Sequence, residues 1–205
     1  MRYQELKDEL KDFIIFSLVD IRKVDPNFHR RRLNEWQDKG YIKKIRRGFY
    51  IFKDLSIDER ILYLIANKLY GPSYVSFETA LSYYGLIPEG VYSMFSVSTK
   101  KTSNFNTPIT QFSYRNIKPA LFFGYRLEQY KGQAYKIAEI EKVFLDYLYF
   151  HPKFDDELDC RGWRFNSEDF LAKVNLGKLQ KYTAAFNSKR FSARVNKILG
   201  FMKKE

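Results

Sequence analysis

The chain has 205 residues, of which 45% are apolar and 18% aromatic; this is enough to build buried cores, in one large or two small domains, and excludes wholesale disorder. Its single cysteine, Cys160, excludes an internal disulfide, and the absence of a signal pattern or a membrane-spanning apolar run predicts a soluble, cytoplasmic protein. Residues 27–53 carry 9 Lys and Arg against 2 Asp and Glu, and residues 173–205 carry 9 against 1. Residues 54–172 carry 13 against 15 and are nearly neutral. Two basic segments that flank a nearly neutral middle indicate a polyanionic partner.

Three helices are predicted at the start of the chain. Residues 4–16 have an apolar face at helical spacing, and Ser17 can cap a short second helix that ends at Val24. The third helix is predicted to begin at the Asp25-Pro26-Asn27 turn, where aspartate suits the N-cap and proline the first helical position. Gly40 suits the end of this helix, where a left-handed residue is favoured.

A basic hairpin is predicted directly after the third helix. Two β-rich runs, residues 41–45 and 49–52, flank the sequence Arg46-Arg47-Gly48, which suits a tight turn. This order of helices and hairpin predicts a winged helix-turn-helix, in which the third helix enters the major groove of DNA. The alternative is a small helical domain whose surface happens to be basic; the agreement between charge and architecture favours DNA binding.

The residues predicted to contact DNA lie on the side of the third helix opposite Phe28, Leu33 and Trp36, and on the hairpin. The helix is predicted to meet base edges, and the hairpin to meet phosphates or the minor groove. The predicted contacts are Asn27, His29, Arg30, Arg31, Asn34, Lys43, Lys44, Arg46 and Arg47.

The domain boundary is predicted at residue 54, so that residues 1–54 form the winged helix and residues 55–205 an α+β domain. Ser56 and Glu59 have the spacing of a capping box, which opens a helix that runs to Tyr70. Ser76 can cap a further short helix. Period-two alternation then predicts a small, mostly antiparallel sheet built from residues 95–99, 109–114, 121–130 and 134–137. Later helices are predicted at residues 139–150, 167–174, 176–186 and 189–202, the last three forming a helical C-terminal tail.

Three stretches in this order resemble the AbiEi-type antitoxins of bacterial abortive-infection systems: IKKIRRGFYIF, SYVSFETALSYYGLIPE and KIAEIEKVFLDYLYF. The first matches the wing of that family, the second its signature helix, and the third its Glu-Lys-x-x-x-Asp helix, here Glu141, Lys142 and Asp146. Tyr83 and Tyr84 stand where the family often has a histidine. The resemblance implies a repressor of its own promoter, binding inverted repeats, whose functional partner is a nucleotidyltransferase-like toxin that it neutralises without a tight complex.

Little in the sequence indicates catalysis or a metal. The two histidines, His29 and His151, and Cys160 do not cluster at metal-ligand spacing, and no phosphate-binding glycine loop is present. The acidic run at residues 155–159 is interpreted as a solvated loop rather than an ion site. The Glu141, Lys142 and Asp146 set is interpreted as the outward side of an amphipathic helix rather than as acid–base groups. We therefore expect no catalytic residue, no metal and no cofactor.

The basic tail is a further candidate for contact with DNA. Its cations fall at helical spacing beside an apolar stripe, and we expect them to reach phosphates beyond the winged-helix footprint. These residues are Lys178, Lys181, Arg190, Arg194 and Lys197. Two other functions stay open: a ligand-responsive transcription regulator without a toxin, and an enzyme of unfamiliar type that uses the winged helix for protein contacts.

Overall fold

The computed structural model describes residues 1–88, 90, 92–156 and 162–204. The described chain is α+β, with a three-stranded antiparallel sheet in residues 1–54 and a six-stranded mixed sheet in the part that follows. We call residues 1–54 the N-terminal unit and the described residues from 55 onwards the α+β unit.

The N-terminal unit alternates helices with short strands. Ser17 caps its second helix as predicted, since its hydroxyl accepts the backbone N–H of Asp20. Gly40, at φ +69°, ends the third, and the Tyr41 N–H donates to the Trp36 carbonyl across it at 2.9 Å, as in a Schellman motif. The elements are α1 Tyr3–Glu9, β1 Phe16–Ser17, α2 Leu18–Val24, α3 Arg31–Asp38, β2 Ile42–Arg46 and β3 Phe49–Phe52, with the strands in the order β1-β3-β2.

Two predicted boundaries in this unit are wrong. The first helix ends at Glu9 rather than at residue 16. Phe16 cannot belong to it because Phe16 lies in β1, where it pairs with Tyr50 of β3. The third helix begins at Arg31 rather than at the Asp25-Pro26-Asn27 turn. The Asp25 carbonyl accepts the N–H of Phe28 at 3.0 Å and closes a turn, which carries the buried Phe28 ring into the core before the helix starts.

The three-stranded sheet separates two apolar clusters. One of its faces covers the helices of the N-terminal unit, in a cluster of Leu6, Leu10, Phe16, Ile21, Phe28, Leu33, Trp36, Ile42, Tyr50 and Phe52. Four isoleucines of the same unit instead belong to the core of the α+β unit: Ile14, Ile15, Ile45 and Ile51. The predicted boundary at residue 54 therefore falls in the connecting chain, while the apolar packing crosses it.

The α+β unit contains a larger and more mixed sheet than predicted. Its strands follow the order β6-β7-β5-β4-β9-β8, in which β4–β9 and β5–β7 are parallel and the other three pairings antiparallel. The strands are β4 Ser73–Val75, β5 Ser93–Ser98, β6 Ser103–Asn106, β7 Gln111–Asn116, β8 Tyr125–Tyr130 and β9 Gln133–Ala138. The helices are α4 Glu59–Leu69, α5 Phe77–Tyr83, α6 Ile140–Phe150, α7 Ser167–Lys173, α8 Leu176–Ala185 and α9 Lys189–Met202.

Helices cover both faces of this sheet. The Tyr114 hydroxyl donates to the Ala66 carbonyl of α4, while Tyr74, in the inner strand β4, points the other way and donates to Asp146 of α6. The predicted capping box of α4 is wrong: the helix starts later, and the Asp58 carboxylate, rather than Ser56, accepts the Ile61 N–H at 2.8 Å. No helix in the described ranges combines the length and apolar character that a bilayer crossing requires.

Candidate nucleic-acid interface

The third helix presents its polar side to solvent. Leu33 and Trp36 are buried and fix the rotation of α3, and the Arg32 guanidinium lies 5.4 Å from the Trp36 ring centre. The residues predicted to contact DNA here are all exposed: Arg31 and Asn34 lie on the opposite side of α3, and Asn27, His29 and Arg30 lie in the turn before it. The Arg31 side chain is 90% exposed and has only a 4.0 Å approach to Glu35. This surface can therefore meet a ligand without rearrangement of the helix; its contact with DNA stays a prediction.

The hairpin cations divide into two groups. Lys44 and Arg47 are exposed, and Lys43 is half-buried. Arg46 is turned towards the α+β unit, where its guanidinium donates to the Leu69 carbonyl at 3.2 Å and lies 3.8 Å from the centre of the Phe105 ring. Of the hairpin residues predicted to contact DNA, Lys44 and Arg47 thus have the most accessible charges.

A β-bulge accounts for the direction of Arg46. Lys44 pairs with Tyr50 and Arg46 pairs with Phe49, so that Ile45 is an extra residue in its strand. An extra residue breaks the alternation of side chains and turns two successive ones to the same side. Ile45 and Arg46 accordingly both contact the α+β unit.

The cations of the C-terminal helices also fall into two groups. Arg194 donates to the Leu148 and Pro152 carbonyls, each at 2.6 Å, and Lys178 forms an ion pair with Glu139 at 2.8 Å. Lys197 is exposed but lies 3.6 Å from the Asp155 carboxylate. Lys181 and Arg190 are exposed. The stripe predicted from helical spacing is therefore interrupted at Arg194, whose guanidinium ties α9 to the end of α6.

A buried ion pair replaces the outward side predicted for α6. Lys142 and Asp146 are both fully buried and paired with each other, and Glu141 is 4% exposed. The Lys142 ammonium also donates to the Tyr74 hydroxyl at 2.9 Å, and Asp146 accepts Tyr74 at 3.0 Å and Ser76 at 2.9 Å. The prediction of a solvated side was wrong because α6 has neighbours all round.

The surroundings of Lys142 are aromatic and closely packed. Its ammonium lies 5.4 Å from the Phe123 ring centre and 5.5 Å from that of Phe186, within the range of cation–π attraction. Gly124, at φ +71°, lies so close that a Cβ there would come within 3.0 Å of the Lys142 stem. Burial, with Asp146 adding to it, raises the pKa of Tyr74 well above its ordinary value. Tyr74, Ser76, Lys142 and Asp146 are all buried, and each has a hydrogen-bond partner within this network. The network therefore holds β4, α5 and α6 together.

Glu139 and Glu141 receive partners from α8. Glu141 accepts the backbone N–H of Asn175 at 2.9 Å, just before α8 begins. Partial burial acts to raise the pKa of Glu139, but hydrogen bonds from Lys178 and Tyr182 outweigh it and hold that pKa below its usual value. Sequence analysis missed these partners, because α6 and α8 are more than twenty residues apart along the chain.

An open cleft of about 320 Å³ lies beside α6. Its walls are largely aromatic and carry one carboxylate; the lining residues are Glu78, Ile87, Gly90, Tyr92, Ser93, Phe95, Tyr147 and Trp163. A volume near 300 Å³ is at the lower end of the range found for small-molecule sites.

Within the described residues, no group of three or more His, Cys, Asp and Glu side chains is arranged to hold a metal ion. Cys160 and the later part of the acidic run, residues 157–159, lie outside the described residues. In comparisons with known proteins, no protein-family model and no curated sequence matches this chain.

Proposed function

We propose that the N-terminal unit is a winged helix-turn-helix and that the chain binds double-stranded DNA, with α3 in the major groove and the β2–β3 hairpin as the wing. The observation that carries the proposal is the exposed polar side of α3 and of the residue before it, with the three predicted readers Arg30, Arg31 and Asn34. The order of the elements, α1-β1-α2-α3-β2-β3, and the charge of residues 27–53 support it further.

In this proposal the helix and the hairpin have different roles. Arginine pairs with guanine and asparagine with adenine, and each such pair discriminates between bases by about 1–3 kcal/mol. Arg30, Arg31 and Asn34 therefore supply sequence preference. Lys44 and Arg47 meet phosphates, which adds affinity for any sequence and makes binding salt-dependent.

The test is the affinity of the full-length protein for a duplex taken from its own promoter and for a shuffled duplex, measured by fluorescence anisotropy over a salt series. Arg31→Ala should narrow the difference between the two affinities by about 1–3 kcal/mol, and Arg47→Ala should weaken both and flatten the salt slope by about 0.9. Arg115→Ala, at an exposed position on β7, is the matched control. A protein that shifts neither duplex at low salt would contradict the proposal.

We further propose, on the resemblance of the three motifs alone, that the protein represses its own promoter and is the antitoxin of a nucleotidyltransferase-like toxin. Antitoxin activity in that family lies outside the winged helix. A full-length Arg30→Ala, Arg31→Ala, Asn34→Ala variant should therefore still protect cells from the toxin encoded next to it. Loss of protection together with loss of DNA binding would place the activity in the N-terminal unit instead.

The cleft beside α6 favours a second candidate, a transcription regulator that responds to a small ligand. Its aromatic walls suit a flat apolar molecule, and Glu78 suits a cationic group on it. Trp163 lines the cleft, so its fluorescence can report on a ligand bound there. A compound that quenches its fluorescence and shifts operator affinity would favour this candidate, whereas the antitoxin proposal requires no such compound.

A further inference from the structure

Arg46 joins the hairpin to the α+β unit through two different kinds of contact. Its guanidinium donates to the Leu69 carbonyl at 3.2 Å and stacks over Phe105 of β6 at 3.8 Å from the ring centre. Tyr70 stands beside it at 5.7 Å and packs edge-on against the same phenylalanine ring. One side chain therefore contacts both a helix end and a sheet edge of the neighbouring unit.

The two contacts together suit an arginine better than a lysine. Leu69 is the last residue of α4, and the last carbonyls of a helix lack partners within the helix and carry partial negative charge. A planar guanidinium can donate in its own plane to such a carbonyl while its face lies on an aromatic ring. A lysine ammonium has no flat face to place on Phe105.

We propose that Arg46 is a positioning residue: it fixes the wing against the α+β unit and so sets the angle at which Lys44 and Arg47 meet DNA. This inference rests on the proposed DNA-binding function and replaces the phosphate contact that the sequence predicts for Arg46. The β-bulge at Ile45 is the device that turns Arg46 away from the exposed side of the hairpin.

The two roles of Arg46 lead to opposite expectations for three variants. A phosphate contact depends on charge, so Arg46→Lys would keep most of the affinity, Arg46→Ala would flatten the salt slope by about 0.9, and a change at Phe105 would have no effect. A positioning residue depends on shape. Arg46→Lys then loses affinity, the salt slope is unchanged, and Phe105→Leu, which keeps apolar volume but removes the ring face, reproduces the loss.

Operator binding by the full-length protein over a salt series separates these outcomes. We expect Arg46→Ala, Arg46→Lys and Phe105→Leu each to weaken binding by about tenfold at an unchanged slope, because the wing is no longer preorganised. The double variant Arg46→Ala, Phe105→Leu should be no weaker than Arg46→Ala alone, since both changes break one contact. A flattened slope for Arg46→Ala, or wild-type binding by Phe105→Leu, would overturn the proposal.

A second measurement does not depend on DNA. The residue directly after β3 is an exposed lysine, Lys53, at which trypsin can cut. Loosening the hairpin should make cleavage there several times faster in Arg46→Ala and Phe105→Leu than in wild type or in Arg47→Ala, at equal helix content by circular dichroism. Equal cleavage rates would overturn the positioning role. If the wild type binds no DNA but the rates differ as expected, the DNA-binding proposal fails and the joining role of Arg46 stands.

Discussion

Two lysine–aspartate pairs at the same helical spacing occupy opposite environments in this protein. Lys142 and Asp146 on α6 are both fully buried, whereas Asp169 and Lys173 on α7 are 47% and 46% exposed. Removing one partner of a buried pair leaves an uncompensated charge in a medium of low polarity. An exposed charge keeps its water when its partner is lost.

Asp146→Ala should therefore destabilise the protein by about 3–5 kcal/mol, and Asp169→Ala by at most about 1 kcal/mol. The double variant Lys142→Met, Asp146→Leu, which removes both charges at similar volume, should recover part of the loss. The free energy of unfolding in urea is the measurement. Similar effects from the two aspartates would show that the α6 pair is hydrated in solution.

Buried tyrosines predict a loss of stability in alkali. Burial raises the pKa of Tyr135 to about 12 and that of Tyr114 above its usual range. The unfolded chain releases these protons near pH 10 and the folded chain at higher pH. The contribution of the two tyrosines to the free energy of unfolding is therefore complete below about pH 10 and is lost as the pH rises beyond it. Tyr114→Phe should reduce the fall in unfolding free energy between pH 10 and 11.5 by about 1.4 kcal/mol per pH unit. Tyr92→Phe, at a side chain that is 96% exposed, is the control and should leave the fall unchanged.

At the scale of elements, local patterns predicted those parts of the fold that local chemistry determines. The Ser17 cap, the Gly40 stop, the helix before His151 and the three C-terminal helices all lie within a residue or so of their predicted bounds. Each depends on side chains a few residues apart.

Features that depend on distant partners were missed. β1 has two residues and β4 three, and both exist because a neighbouring strand from elsewhere in the chain pairs with them. The bulge at Ile45 reverses the expected direction of Arg46, and α8 covers the side of α6 that appeared polar in the sequence. Period and charge identify amphipathic helices, but they do not tell how many neighbours a helix has.

The last two helices offer a prediction about their basic side chains. Arg190 and Lys181 are exposed, and the Arg194 guanidinium is held by two backbone carbonyls. If the stripe contacts DNA, Arg190→Gln and Lys181→Gln should each flatten the salt slope of operator binding by about 0.9. Arg194→Gln should leave the slope unchanged and lower the melting temperature instead. An unaltered slope in the Arg190 and Lys181 variants would exclude this contact with DNA and leave either a surface for another anionic partner or a basic surface with no target.

At the scale of the whole molecule, the shared core predicts that both units unfold together. Ile45 and Ile51 lie in the N-terminal unit but pack in the core of the α+β unit. The full chain should melt in one transition. Ile51→Ala should lower the midpoint temperature of that transition without splitting it, and should reduce the free energy of unfolding by about 2–5 kcal/mol. Val19→Ala, at a side chain that is 67% exposed, is the control. Two separate transitions by scanning calorimetry would contradict a common core.

The four isoleucines of the N-terminal unit that pack in the core of the α+β unit limit how this protein can be recombined. A helix and hairpin can be exchanged between proteins as a cassette only if the surface beneath them is exchanged as well. In this protein that surface consists of Ile14, Ile15, Ile45 and Ile51. A chimaera that keeps α3 but replaces these isoleucines would leave gaps in the core of the α+β unit. If α3 binds DNA as proposed, new specificities are therefore easier to reach by substitution on its exposed side than by transplanting residues 1–54 as a block.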